Sequence, residues 1–192
     1  MIAPLQIFTN WYADELKIAT VRIPSACCLS TIGMDGYPNA RFVSMKEIID
    51  GTFIITGPLA SRKGLEIEQI KKVALTFWWT ATERQVRVQG DAVEISSAQA
   101  DKYFAERETS AQIVSLVSEQ GKEIKNIDEL NNRYDQEEAL LKGKPIKRPN
   151  NWGGYAIKPI RIEFMEFKPT RFHDRKLYEL NNDQWVLKQL QP

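Results

Sequence analysis

The pair Asp50-Gly51, set between two runs of strand-forming residues, does most to constrain what this chain can fold into. Residues 39–48 lead into it and Thr52-Phe53-Ile54-Ile55-Thr56 leads out. An Asp-Gly pair adopts positive φ at both central turn positions at little steric cost, which matches the right-handed twist of a tight hairpin. The two runs are therefore predicted to be antiparallel neighbours. The same pattern recurs along the chain. A strand near 26–32 and a turn at Met34-Asp35-Gly36 precede the hairpin. Val73 to Trp79 reads as a strand, and so do residues 84–95, where Val86, Val88 and Ala92 alternate with Arg87 and Gln89. Three strands close the chain near 154–167, 175–180 and 184–190, with Asn181-Asn182-Asp183 turning between the last two. Between the strands, helices are predicted over 5–18, where Leu5, Phe8, Trp11, Tyr12 and Leu16 fall near helical spacing, and after Ser61, where Gly57-Pro58 has broken the strand pattern. Others run from the capping box Ser96-Ser97-Ala98-Gln99 to about 107, over 111–117, and from Asn126 to about 142. A basic linker spans 142–149. Strands and helices do not alternate regularly, so a doubly wound parallel sheet is excluded. The pattern predicts a mainly β, α+β chain: an antiparallel barrel, closed or partly open, with peripheral helices.

Hydrophobic residues make up 43% and charged residues 27% of 192 residues, enough apolar material for one cored domain over 1–192. The formal net charge of +1 supplies no global field for nucleic acid or membrane, so neither is expected as a partner and any basic site must be local. Cys27 and Cys28 are adjacent in an apolar run, a geometry poorly suited to a disulfide, and read as small core residues of a reducing compartment. With one histidine and two neighbouring cysteines, zinc-ligand spacing is lacking, and no metal is expected. No secretory signal and no membrane-length apolar run are visible, so a soluble cytoplasmic protein is expected.

Five stretches carry residues suited to chemistry. The single histidine lies in Arg171-Phe172-His173-Asp174-Arg175, which reads either as a charged surface loop or as a site for an anionic, ring-shaped ligand, since arginine forks grip phosphate or carboxylate oxygens in pairs. On the strand Arg41-Phe42-Val43-Ser44-Met45-Lys46, period-two alternation puts Arg41 and Lys46 on opposite faces unless a bulge or twist re-aims one. Ser61-Arg62-Lys63 opens a helix, and basic residues in a first turn oppose the helix dipole unless an anion sits nearby. Gln85 offers a donor and an acceptor to a heterocycle edge. Trp152-Gly153-Gly154-Tyr155 is either a stacking wall beside close-approaching backbone or core packing at a strand start. Neither a Gly-rich nucleotide loop nor a nucleophile-elbow serine is present. These features suggest scattered phosphate grips around a heterocycle pocket on a barrel, and do not by themselves name a reaction.

Taken in order, the segments Arg41 to Lys46, Ser61-Arg62-Lys63, Glu83-Arg84-Gln85-Val86, Lys102-Tyr103-Phe104, Trp152-Gly153-Gly154, Arg171 to Arg175 and the closing Trp185 to Pro192 resemble the pyridoxine/pyridoxamine 5′-phosphate oxidase family. The resemblance runs from about residue 5 to the C-terminus. It implies an FMN-binding split barrel, a homodimer with two FMN sites at the subunit interface, and a dimerisation region over about 150–192. The implied activity is FMN-dependent oxidation of pyridoxamine or pyridoxine 5′-phosphate to pyridoxal 5′-phosphate. Dioxygen is the electron acceptor and hydrogen peroxide the by-product, with the flavin supplying the redox chemistry and the protein supplying position and charge. By the same resemblance, Arg41, Arg62 and Lys63 hold the FMN phosphate region, with Phe42, Val43, Ser44, Lys46, Ile55 and Thr56 also on the cofactor and Gln85 against the flavin. Gln120, Trp152 and Arg175 complete that site from the partner chain. Lys46, Tyr103 and Arg107 grip the substrate phosphate, and Arg171 and His173 are the catalytic pair over the pyridine ring. The chain departs from the family where a serine is usual four residues after Arg107. Ala111 stands there, with Ser110 adjacent but turned by about 100° on a helix. Alternatives carried with this reading are a related flavin oxidase of another aromatic substrate, such as a dihydrophenazine-type intermediate, and a non-catalytic flavin-binding protein.

Overall fold

The computed structural model describes residues 3–192 and contains eight strands and five helices. The helices are α1 (Ala3–Ile18), α2 (Arg62–Gln69), α3 (Ser97–Ala105), α4 (Thr109–Val117) and α5 (Ile127–Leu141). The strands are β1 (Ala26–Ile32), β2 (Pro38–Ile49), β3 (Thr52–Pro58), β4 (Lys72–Trp79), β5 (Arg84–Glu94), β6 (Trp152–Glu166), β7 (Asp174–Asn181) and β8 (Gln184–Leu190). Every pairing is antiparallel. The strand order is β3-β2-β1-β4-β5-β6-β7-β8, and β3 also pairs with β6. That extra pairing closes β1–β6 into a six-stranded barrel and leaves β7 and β8 as an extension beyond β6.

Turn chemistry sets the register. Asp50 and Gly51 take φ of 49° and 78°, and Asn182 and Asp183 take 48° and 61°. Both pairs thus form two-residue turns whose twist suits a hairpin. β6 is long enough to serve two sheets. Its first residues pair with β3 from Phe53↔Ile157 to Pro58↔Trp152, and its last pair with β7 from Arg161↔Glu179 to Glu166↔Asp174.

Alternation fills the barrel. Val73, Leu75, Phe77 and Trp79 of β4 and Val86, Val88 and Ala92 of β5 point inward and are buried. Helix α1 stops one end of the barrel with Phe8. Its ring lies 4.9 Å from both Phe53 and Phe77 in edge-on geometry, a favoured aromatic arrangement. Buried Glu15, from the same helix, accepts from the backbone N–H groups of Ala81 and Thr82 and so fastens the β4–β5 turn. A second cluster, Ile54, Ile95, Ala100, Tyr103, Phe104 and Trp152, seats α3 against the outside of the barrel. The capping box at Ser96 and Gln99 satisfies the start of that helix, as the sequence predicts. Among the described residues, no helix is long and apolar enough to cross a membrane.

Candidate active site

Beside β2 lies a pocket of about 760 Å³, walled by β2, the end of β3, the start of α2, Arg107, α4 and the segment that follows it. β2 has an irregular register against β3 between Met45 and Ile48. Its two ends therefore present different faces to the same hollow. Arg41 and Lys46 both line the pocket, with Phe42, Val43 and Ser44 between them. The twist that the sequence left open as an exception is what the structure shows.

The Arg41 end is organised by a residue the sequence reading missed. Glu66 is 1% exposed, on the second turn of α2. Its carboxylate accepts from Thr31 Oγ1 at 2.5 Å, Asn39 Nδ2 at 2.6 Å, Arg62 Nε at 2.9 Å and Arg41 Nη2 at 3.0 Å. Arg41 also donates to Thr31. Burial works against ionisation of Glu66, but the hydrogen bonds from Thr31, Arg62 and Arg41 outweigh it and hold the carboxyl below its ordinary range. The two arginines are thus fixed side by side at the head of α2. Gly64 lets that helix start close to the preceding chain, since a Cβ there would stand 1.9 Å from the Leu59 carbonyl oxygen.

The head of α2 remains open to an anion. Its N-cap, Ser61, makes no side-chain cap and donates instead to the Pro58 carbonyl, and the first turn holds no acidic residue. Lys63 reaches across to Ser61 Oγ at 3.0 Å and to Gln120 Oε1 at 2.5 Å. Burial, with Arg41 nearby, pushes its ammonium down to about 8. Among the described residues, Lys63, Lys46 and Arg107 form no salt bridge, although most other basic residues around the pocket do. Three cations without carboxylate partners on one hollow make a site for anions.

The remaining sequence candidates fall into three groups. Thr56, Gln120 and Trp152 line this pocket in their own chain. The resemblance implies that Gln120 and Trp152 complete a cofactor site from the partner chain; in the structure both line the pocket of their own chain, Trp152 through the register Pro58↔Trp152 and Gln120 through its contact with Lys63. Trp152 is not a free stacking wall either: its buried ring already packs edge-on to Phe104 and under the Arg107 guanidinium, 5.1 Å away. Ile55 is a core residue whose side chain faces the barrel interior, so it offers a ligand no side chain. Tyr103 is 3% exposed and does not line the pocket. Its hydroxyl donates to Glu47 Oε1 at 2.5 Å, and burial together with that carboxylate pushes the phenol up to about 12.

Gln85, Arg171, His173 and Arg175 belong to a different surface. Gln85 lies on the outer face of β5 between its cross-strand neighbours Trp78 and Met165. Trp78, 52% exposed, meets Phe167 edge-on at 4.8 Å, and Phe167 in turn contacts His173 at 4.8 Å. The Lys168 N–H donates to His173 Nδ1, so Nε2 is the nitrogen left to face a ligand. Arg171 holds φ at 68°, an uncommon conformation for a residue other than glycine, in the turn that projects it outward. Arg175 is fastened by Glu163 Oε1 at 2.7 and 3.0 Å. In the closed ring, β2 and β5 are three strands apart in either direction. Their outer faces therefore point away from each other, and the two groups of residues lie on separate surfaces of one chain.

Fold and pocket together define a split barrel with a cation-lined hollow on its outer wall and a second, aromatic face turned elsewhere. The comparisons agree with that class. The family model for pyridoxamine 5′-phosphate oxidase matches residues 16–140, and that for the pyridoxine 5′-phosphate oxidase C-terminal dimerisation region matches residues 152–192. A pyridoxine/pyridoxamine 5′-phosphate oxidase of a Cyanothece species is 38% identical over 98% of this chain and 88% of its own length. One from Bacteroides thetaiotaomicron is 37% identical over 98% and 89%. Among solved structures, PhzG from Burkholderia lata, in complex with tetrahydrophenazine-1-carboxylic acid, superposes with a TM-score of 0.91 at 28% identity, covering 98% of this chain and 92% of that one. A pyridoxamine 5′-phosphate oxidase-related, FMN-binding protein of Nostoc punctiforme shares the fold, with a TM-score of 0.79 at 18% identity over 95% and 96% of the two chains. The chain belongs to the pyridoxine/pyridoxamine 5′-phosphate oxidase family.

Proposed function

We propose that the protein is an FMN-dependent oxidase that converts pyridoxamine or pyridoxine 5′-phosphate to pyridoxal 5′-phosphate, with dioxygen as electron acceptor. The observation that carries this reading is the set Lys46, Lys63 and Arg107, three carboxylate-free cations on one pocket. They serve two phosphates. Arg41, Arg62 and Lys63, at the uncapped head of α2, suit the phosphate of FMN, and Lys46 and Arg107 suit that of the substrate. FMN, when bound, supplies the two-electron acceptor and the route to dioxygen. The chain's own residues bind, orient and exclude water. Arg171 and His173, with Nε2 of the imidazole facing outward, are assigned to the pyridine ring, and Gln85 and Arg175 to the cofactor edge. These four lie on the face opposite the pocket, so a second copy of the chain, joined through the C-terminal dimerisation region, brings them to it.

The test is aerobic turnover of FMN-loaded protein with pyridoxamine 5′-phosphate, followed by formation of aldehyde and peroxide. Both are expected in step, and bound FMN with neither would overturn the reading. A second reading, oxidation of a reduced phenazine carboxylate, is favoured by the close superposition on PhzG and by Ala111. It predicts faster turnover of a dihydrophenazine carboxylate than of the B6 phosphates in the same assay.

Lys63 makes the cofactor site sensitive to pH. A bound phosphate favours the charged ammonium, so FMN binding takes up a proton once the free lysine begins to lose its own at about 8. The dissociation constant of FMN, read from its fluorescence quenching, is expected to hold steady below that value. Above it, the constant should rise toward about tenfold per pH unit. A Lys63→Met variant should bind more weakly and lose the slope. A flat profile in the unsubstituted protein would remove Lys63 from the phosphate site.

A further inference from the structure

Ser115 was not among the residues that sequence reasoning singled out, yet it lines the pocket and accepts from Arg107 Nη1 at 2.5 Å. It lies on α4 one turn beyond Ala111, to whose carbonyl its hydroxyl donates at 3.0 Å. Residues four apart share a helix face, so Ser115 occupies the same stripe as Ala111. Val114 and Ser118 also line the pocket, whereas Ser110 is exposed and does not.

The surroundings leave Arg107 few other anchors. Burial lowers its guanidinium from the ordinary range, its plane is held near the rings of Trp152 and Phe104, and it forms no salt bridge among the described residues. The backbone that carries it is pinned by the buried amide of Gln112, which donates to the carbonyls of Phe104 and Arg107 at 3.0 Å each. With stem and backbone fixed, the hydroxyl of Ser115 decides where the fork points. Tyr103, the nearby phenol, already gives its only proton to Glu47.

We propose that Ser115 is the positioning residue of the substrate-anion grip. It aims the Arg107 guanidinium into the pocket opposite Lys46, its own proton being given to the Ala111 carbonyl, while Tyr103 is withheld from that anion by Glu47. The proposal deepens the reading above and rests on it for the identity of the anion, a phosphate monoester. It places phosphate selectivity on α4 at position 115.

The experiment is equilibrium dialysis of pyridoxal 5′-phosphate and of pyridoxal, which lacks the phosphate, against FMN-loaded protein, with turnover measured in parallel. Ser115→Ala is expected to weaken binding of the phosphate ester about tenfold, the size of one hydrogen bond to a charged group, and binding of pyridoxal less than about twofold. Ser115→Thr, which keeps the hydroxyl, should recover most of the loss, an outcome that a merely structural role would not give. Tyr103→Phe should change the preference for the phosphate ester less than Ser115→Ala does. Equal weakening of both ligands by Ser115→Ala, no weakening, or a larger effect of Tyr103→Phe would overturn the proposal. If the unsubstituted protein binds the ester no better than pyridoxal, the anion site itself fails and the proposal with it. If it prefers the ester and responds to Ser115→Ala as expected but does not turn over, the oxidase reading fails and the role of Ser115 stands.

Discussion

Glu66→Ala is expected to lower the stability of the protein by about 3 kcal/mol, because it leaves charged and polar groups assembled around a centre that has vanished. Four donors converge on that carboxylate, from Thr31, Asn39, Arg41 and Arg62. Arg62 is largely exposed and can turn to water, so its share is small. Thr31 and Arg41 cannot turn away so readily. Thr31 is buried and the Arg41 side chain is only a quarter exposed, so both must stay desolvated without their acceptor. In a domain of this size such a loss corresponds to a melting temperature lower by roughly 6–12 °C. The pH dependence supplies an independent sign. The folded-state pKa of Glu66 is depressed, so its stabilisation is fully present above the ordinary carboxylate range and disappears as pH falls through the folded value. The variant should therefore show a shallower acid limb in denaturant-melt midpoints measured across pH. Added inorganic phosphate should recover part of the lost stability, since without Glu66 the Arg41–Arg62–Lys63 cluster keeps only the exposed Asp35, 3.4 Å from Arg62, as counter-charge. A loss below about 1 kcal/mol, or an unchanged acid limb, would show that Glu66 is not the hub that fixes the head of α2.

Glu66 also shows where sequence reasoning stops. In the chain it stands four residues after Arg62, a spacing that describes an ordinary surface pair on a helix. Its other partners, Thr31, Asn39 and Arg41, are 35, 27 and 25 residues away and meet it only because β1, β2 and α2 converge at one end of the barrel. By contrast, the strands themselves were legible almost to the residue. Alternation, the Asp50-Gly51 and Asn182-Asp183 turns and the capping box at Ser96 are local signals, and local geometry answers them. The closure of β3 onto β6 is not local, and with it went the placement of Trp152 in the pocket of its own chain; Gln120 reaches the same pocket through Lys63, 57 residues away. Ser115 could have been found. Stepping one helical turn from Ala111, instead of one residue back to Ser110, returns to the same face of α4. The distribution of Gln85, Arg171, His173 and Arg175 onto a second surface follows from strand order in a closed ring, which residue patterns do not encode.

That division leads to the strongest expected result. Consider two variants, one with the pocket disabled by Lys46→Ala and Arg107→Ala, the other with the opposite face disabled by Arg171→Ala and His173→Ala. Each alone should be nearly inactive, since every homodimer of either kind lacks one half of both sites. In a mixed dimer the intact pocket of one chain meets the intact face of the other at one site, while the second site carries both defects. Random assortment makes half of the dimers mixed with one working site in each, so a co-expressed mixture should regain about a quarter of wild-type turnover. Mixed dimers purified through two different tags should reach about half. The physical ground is the barrel: β2 and β5 stand three strands apart in both directions, and side chains on their outer faces diverge. A chain able to complete its own site would have to carry the Arg171–His173 turn around the barrel, yet β7 is tied to β6 along six consecutive pairs from Arg161↔Glu179 to Glu166↔Asp174. A mixture that stays as inactive as its components, with hybrids demonstrably formed, would mean that the two faces do not meet across a dimer. Loss of activity in the pocket variant but not in the face variant would instead confine the chemistry to the β2–α2–α4 pocket and remove Arg171 and His173 from it.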